Sequence, residues 1–240
     1  MAQERGNLYL IPNTLGETPP LEVLPLLVKK AVEEIDHYVV EHEKAARKFI
    51  KSIVPRKAQG EITINLINKF TDESEIPAML EPCRQGLDVG IISDAGCPAI
   101  ADPGALVVRQ AHREGIKVVP LVGPSSILLA FMASGMNGQA FAFNGYLPID
   151  KRERKQALKR LEKLSRETGQ SQAFIETPYR NNQLMEAMVQ ALSEDTDLCV
   201  AADITLPTEY ILTQTVGSWK KTRVDLNKRP TLFIIHRHQV

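Results

Sequence analysis

Short apolar runs alternate with amphipathic stretches along the first half of the chain. Asn7-Leu8-Tyr9-Leu10-Ile11 closes at Pro12 and has the pattern of a buried strand. Residues 21–32 place Leu24, Leu27, Val28 and Ala31 on one helical face. His37-Tyr38-Val39-Val40 predicts a second strand, followed by a charged helix over 43–53. Residues 62–67 alternate as a strand does, and residues 75–84 follow helical spacing. Val89-Gly90-Ile91-Ile92, a helix over 105–114 and Ile116-Lys117-Val118-Val119 repeat the unit. Strand–helix–strand repetition at this spacing implies right-handed crossovers and a mainly parallel sheet.

The second half follows a different pattern. Residues 127–133 predict an apolar helix, Ala140-Phe141-Ala142-Phe143 a strand, and 152–165 a basic helix with Leu158, Leu161 and Leu164 inward. Further strands are expected at 173–175, 198–202, 210–216 and 232–236, with only two helices between them. That density of strands suggests a mixed sheet. The fold class expected is therefore α/β in two domains, residues 1–120 with a mainly parallel sheet and residues 121–240 with a mixed one.

Charge supports a division near Pro120. Residues 1–120 carry 14 basic and 17 acidic side chains, whereas residues 121–240 carry 15 and 12. Over all 240 residues the charges cancel, which argues against a generally sticky nucleic-acid binder and leaves room for a local basic patch. At 43% hydrophobic residues the chain has enough apolar surface to fold. Cys83, Cys97 and Cys199 share no short spacing, so neither a disulfide framework nor a zinc site is suggested, and the five histidines show no metal-ligand pattern. The start, Met1-Ala2-Gln3-Glu4-Arg5, leads into an apolar run too short for a signal-peptide core. Residues 118–149 carry no charge but are broken by Pro120, Gly123, Pro124, Gly135 and Gly138, unlike a membrane span. A cytoplasmic protein without membrane association is the expectation.

Chemistry concentrates in Ser93-Asp94-Ala95-Gly96-Cys97-Pro98-Ala99-Ile100-Ala101-Asp102-Pro103-Gly104, a loop between a buried strand and a helix. Ligands of open α/β sheets bind at the carboxyl ends of strands. Gly96 and Gly104 permit close backbone approach, and Pro98 and Pro103 stiffen the loop. Gly123-Pro124-Ser125-Ser126 follows the next strand in the same way, so both loops are expected to face one crevice. Their amides, hydroxyls and the Asp94 carboxylate suit a small zwitterionic ligand with hydroxyls. The plainer alternative, in which Asp94 and Asp102 cap turns, stays open. The chain has neither a G-x-G-x-x-G nor a Walker string, which argues against a dinucleotide dehydrogenase or a P-loop NTPase.

These two loops, with Phe143-Asn144-Gly145-Tyr146-Leu147-Pro148 and Glu176-Thr177-Pro178-Tyr179-Arg180, resemble the class III S-adenosylmethionine (SAM) dependent methyltransferases, the tetrapyrrole methylase superfamily. Within it the chain is most similar to the bacterial small-subunit rRNA ribose 2′-O-methyltransferase branch. The resemblance implies two α/β domains, SAM in the cleft between them, and a homodimer. It places Asp94, Ala95, Gly96 and Pro98 along the methionine and ribose of SAM, with Gly123, Pro124, Ser125 and Ser126 in the same pocket. Gly145, Tyr146 and Leu147 would approach the ligand, and Pro230 and Thr231 loosely match a segment bordering the adenine.

The sequence also departs from that branch. Thr-Pro-Ile-Gly-Asn becomes Asn13-Thr14-Leu15-Gly16-Glu17, keeping only Gly16 as a candidate cofactor contact. Glu-Asp-Thr-Arg becomes Glu41-His42-Glu43-Lys44, His-Glu-His-Asn gives way to residues around Ile67-Asn68-Lys69-Phe70, and an arginine is lost before Asp203-Ile204-Thr205. The sequence ends before the branch's carboxyl-terminal extension. These changes fall where the methyl acceptor, rather than SAM, is expected. Glu41 and His42 are candidates for a general base, with a helix cap as the plainer reading. The helix carrying Lys151, Arg152, Arg154, Lys155, Lys159, Arg160, Lys163 and Arg166 is either a phosphate-binding patch or a solvated face. Cys97 stands where the branch has Thr, and a thiol near SAM would be open to alkylation. The function expected is SAM-dependent methyl transfer to a ribose hydroxyl of rRNA in the small ribosomal subunit. The alternatives are a methyltransferase for a small molecule such as a tetrapyrrole precursor, and a non-catalytic SAM-binding module.

Overall fold

The computed structural model describes residues 4–238, so the first three residues of the amino-terminal segment discussed above lie outside it. The chain forms two compact units, dividing between Ser125 and Ser126 in the loop that follows Pro120.

The first unit contains strands β1 (Leu8–Ile11), β2 (His37–Val40), β3 (Thr63–Leu66), β4 (Val89–Ile92) and β5 (Val118–Pro120). All neighbours pair in parallel, in the order β3-β2-β4-β1-β5. The helices are α1 (Pro20–Val23), α2 (Leu26–Glu34), α3 (Glu43–Ile53), α4 (Ile76–Met79), α5 (Glu81–Arg84) and α6 (Ala105–Arg113). Residues 21–32 are not one helix. Pro25 has no amide proton and forces Leu24 into an extended conformation, ending α1 before α2 begins. The buried stripe is accordingly Leu24, Val28, Ala31 and Val32, and Leu27 is exposed. Residues 75–84 divide similarly into a 3-10 turn, Glu73–Glu75, followed by α4 and α5, with Pro82 in the first turn of α5.

Strand alternation distributes the core to both faces of this sheet. Ile11, Tyr38, Val40 and Ile92 pack with Val28, Phe49 and Ile50 of α2 and α3. Leu8, Val39, Val89 and Ile91 face the other way, against Ile76, Met79 and Val107 of α4 and α6. The chain passes from β1 to β2 in one direction and from β4 to β5 in the other. Neighbouring strands β4 and β1 therefore send their connections to opposite sides, the topological switch point at which open α/β sheets bind ligands.

The second unit begins with α7 (Ser126–Ser134) and continues with β6 (Phe141–Tyr146), α8 (Lys151–Thr168), β7 (Ser171–Ile175), α9 (Asn181–Ala191), β8 (Asp197–Ala202), β9 (Tyr210–Thr215), α10 (Val216–Trp219) and β10 (Thr231–His236). Its sheet is mixed, in the order β6-β7-β10-β8-β9, with β6 and β7 parallel and the other pairs antiparallel. Leu158, Leu161, Leu184, Met188, Trp219 and Phe233 lie in one core, and the Trp219 indole donates to the Leu198 carbonyl at 2.8 Å. Helix α8 starts on Asp150, whose carboxylate accepts from the Arg152 and Glu153 amides, and stops at Gly169 with φ 68°. Its buried stripe is Arg154, Leu158, Leu161 and Ser165. Leu164 is exposed, because it sits next to that stripe at 3.6 residues per turn. Among the described residues no helix is long and apolar enough to cross a membrane.

Candidate functional site

Three loops meet at the carboxyl ends of the strands of the first unit. The loops after β4 and β5 do not follow adjacent strands, since β1 lies between them. Both nevertheless converge over the end of β1. The Asn13 amide donates to the Gly96 carbonyl at 2.9 Å, the Gly96 amide returns to Asn13, and the Asn13 side chain donates to the carbonyls of Ser93 and Asp94. Asn13 is the residue that the sequence reading missed. Nothing in its local pattern announces a contact with a loop some 80 positions later.

Glycine is required twice in this junction. Gly96 has φ 69°, and a Cβ there would stand 3.1 Å from Leu15 Cδ2 and 3.3 Å from the Pro124 carbonyl. At Gly123 a Cβ would stand 2.3 Å from the Pro12 ring. Ala99 and Ala101 also have positive φ, held by Asp102, whose carboxylate accepts from the amides of Ala99 and Gly104 at 2.8 Å. Asp102 thus does cap its turn, and burial raises its pKa despite those two bonds. Pro98 is buried.

Asp94 and Ala95 are exposed at the top of the loop. Asp94 Oδ2 lies 2.6 Å from His42 Nδ1, at the end of the adjacent strand β2. Glu41 precedes His42, and its pKa is raised by burial and by the negative charges of Asp94 and Asp102. Beside this group lies a cavity of about 340 Å³ between the β1 loop and α3, lined by Thr14, Gly16, Thr18, Phe49, Asp94 and Ala95 among others. The Thr18 hydroxyl lining it is buried without a hydrogen-bond partner. Lys48 and Glu17, also in its walls, pair at 2.6 Å. Cys97 is partly buried, its Sγ lies 3.4 Å from the Pro124 carbonyl, and burial raises its pKa. The thiolate that alkylation needs is therefore disfavoured.

Ser125 closes the first unit and Ser126 opens α7 in the second. Within the second unit Gly145 has φ 62°, Tyr146 is exposed, and Leu147 packs into the core. Pro230 is exposed and its carbonyl accepts from the Asp203 amide, while Thr231 is buried at the start of β10. Asp203 Oδ2 accepts from Arg229 Nε at 2.7 Å. At the end of β7 the Glu176 side chain is buried. Burial alone would raise its carboxyl, but Arg180 at 2.7 Å and the Thr177 amide outweigh that and lower it. Among the described residues no group of three or more His, Cys, Asp or Glu could hold a metal ion.

The sequence over residues 20–219 matches the family model for tetrapyrrole (corrin/porphyrin) methylases. The protein named ribosomal RNA small subunit methyltransferase I of Vibrio cholerae is 29% identical over 205 residues, covering 85% of this chain and 67% of the relative. Its namesake from Escherichia coli O157:H7 is 26% identical, covering 98% and 79%. In fold the chain is similar to the methyltransferase CobJ, with TM-score 0.64 at 17% identity, covering 97% and 94%. It is also similar to a uroporphyrin-III C-methyltransferase from Thermus thermophilus complexed with S-adenosylhomocysteine, with TM-score 0.57 at 15% identity, covering 97% and 98%. A parallel sheet with a switch point and a mixed five-stranded sheet are the two halves of that fold, and the match runs through both: the chain belongs to the tetrapyrrole (corrin/porphyrin) methylases and is a methyltransferase.

Proposed function

We propose that this chain transfers a methyl group from SAM to a ribose hydroxyl of small-subunit rRNA. The observation that carries the reading is the likeness to proteins named ribosomal RNA small subunit methyltransferase I across 98% of the chain. The first unit fits the cofactor. It offers an exposed Asp94 carboxylate, a glycine cradle at Gly96 that a Cβ would fill, and an unpartnered Thr18 hydroxyl in a cavity with apolar walls from Leu15 and Phe49. SAM supplies an activated methyl on a sulfonium, so the protein has mainly to align the acceptor and exclude water.

His42 and Asp94 supply the remaining chemistry. Asp94 holds Nδ1 and orients the ring, leaving Nε2 as the atom that would take the proton of a ribose hydroxyl. Glu41 stands beside this pair, its carboxyl pushed up by burial and by the charges of Asp94 and Asp102. A homodimer acting in the cytoplasm belongs to the same reading, and sedimentation of the purified chain tests the dimer.

The experiment is transfer of labelled methyl from SAM to small ribosomal subunits from a strain lacking the related enzyme. Label mapped to a ribose of the rRNA supports the reading. Absence of label, with SAM binding shown by calorimetry, overturns the rRNA assignment.

A further inference from the structure

We infer that the outer face of α8, together with the ends of β6 and β7 beside its first turn, is a docking surface for single-stranded RNA. The inference rests on the rRNA reading above and names the surface that would hold that substrate. At 3.6 residues per turn, Lys151, Arg152, Lys155, Lys159, Lys163 and Arg166 fall within roughly a third of the helix circumference, along about 22 Å of its length. All six are exposed. Lys163 lies 3.7 Å from Glu167, and the other five form no ion pair among the described residues. Glu162 lies on the same side, lining a hollow with Lys159, Lys163 and Arg166, and one of its oxygens accepts from the Ser193 amide and the Thr196 hydroxyl.

A solvated helix face usually intersperses signs and pairs them at i,i+4. This one presents six cations against Glu162 and the Glu167 partner of Lys163, a net positive row that complements a phosphate backbone. Stacking partners are absent from the helix sequence itself, but the fold supplies them from other elements. A hollow of about 490 Å³ is lined by Tyr146, Ile149, Thr177 and Arg180, and Tyr179 is exposed next to Arg180. A second hollow is lined by Lys151, Arg154 and Lys155 of α8 with Gln183 and Glu186 of α9; Ile149 and Arg180 of the first hollow lie two and three positions along the chain from Lys151 and Gln183, which sets the tyrosines beside the start of the basic row. Bases stack on exposed aromatic rings without regard to sequence, while cations track the backbone. Arg154 is buried in the inner stripe and forms part of the wall of that second hollow.

The test is fluorescence anisotropy with a labelled single-stranded RNA over a range of salt concentrations. It compares the wild-type chain with R152E/K155E/K159E, R152Q/K155Q/K159Q and Tyr179→Ala. Both triple variants should bind at least tenfold more weakly. Their slope of log K against log salt should shrink by about 2, at about 0.7 per lost phosphate contact. Tyr179→Ala should weaken binding about tenfold and leave that slope in place. SAM affinity by calorimetry and the melting temperature check that the variants are folded. Unchanged affinity and slope in the folded variants, with RNA bound by the wild type, overturn this inference and leave the rRNA reading standing. A wild-type chain that binds no RNA overturns both. Tighter binding to duplex RNA, or to vesicles of anionic lipid, overturns the single-stranded assignment.

Discussion

His42 Nδ1 stands 2.6 Å from Asp94 Oδ2, and this contact joins the end of β2 to the loop after the neighbouring strand β4. The pair needs both the parallel register that aligns Val40 with Ile92 and the loop that lifts Asp94 above the sheet. If His42 accepts the acceptor's proton, His42→Ala should lower kcat by about 10²- to 10⁴-fold. Asp94→Asn should lower it less, by disturbing the ring's orientation. Calorimetry should find His42→Ala binding SAM as the wild type does. Full turnover by His42→Ala would end the proton-acceptor role.

Gly96 tests the cofactor cradle. A β-branched residue at φ 69° is strained, and its Cβ would crowd Leu15 and the Pro124 carbonyl. Gly96→Val should weaken SAM binding at least tenfold and cost about 1–2 kcal/mol of stability for the left-handed conformation. Calorimetry and urea unfolding measure the two separately. Wild-type SAM affinity in this variant would remove the loop from the site.

Glu41 makes stability depend on pH. Burial, then Asp94 and Asp102, raise its carboxyl above the value of about 4.3 expected of an unfolded chain. The folded state therefore holds the Glu41 proton more tightly than the unfolded state does. Its contribution is intact below the unfolded value and is lost as pH rises through the raised folded value. Glu41→Gln removes that loss, so its stability relative to the wild type should rise as pH climbs above about 4.3. Denaturant midpoints across that range check the sign, and a constant difference would refute it.

Two leucines on α8 separate burial from mere helical position. Leu161 is almost fully buried, whereas Leu164, three residues on, is exposed. Leu161→Ala should cost about 2–5 kcal/mol and Leu164→Ala about 0.5 kcal/mol or less, read by thermal or urea unfolding. Equal costs would mean that the inner stripe is misplaced.

Much of this architecture was legible locally. Apolar runs such as Leu8–Ile11 and Val89–Ile92 are buried on both faces in a parallel sheet, so they carry little polar alternation and stand out. Glycines and prolines marked the loops where the strands end. The break at Pro25 was also legible, because a proline removes an amide whatever surrounds it, yet the helical spacing across it dominated the reading. The exposure of Leu27 and Leu164 was not, since spacing tells which residues share a face and the sheet beneath decides which of those are covered.

The sequence by itself determined the order of strands and helices, the α/β class and the two loops bearing Asp94 and Gly123, because these follow from periodicity and backbone preference over a few residues. The tertiary structure alone decided which strands became neighbours. That choice placed β1 between β4 and β5, set Asn13 against Gly96 and brought His42 to Asp94. It likewise brought Tyr146 and Arg180 to one hollow. Such pairings join residues separated by tens of positions, and what selects them is the burial of whole faces against one another, a cooperative quantity that no local pattern contains.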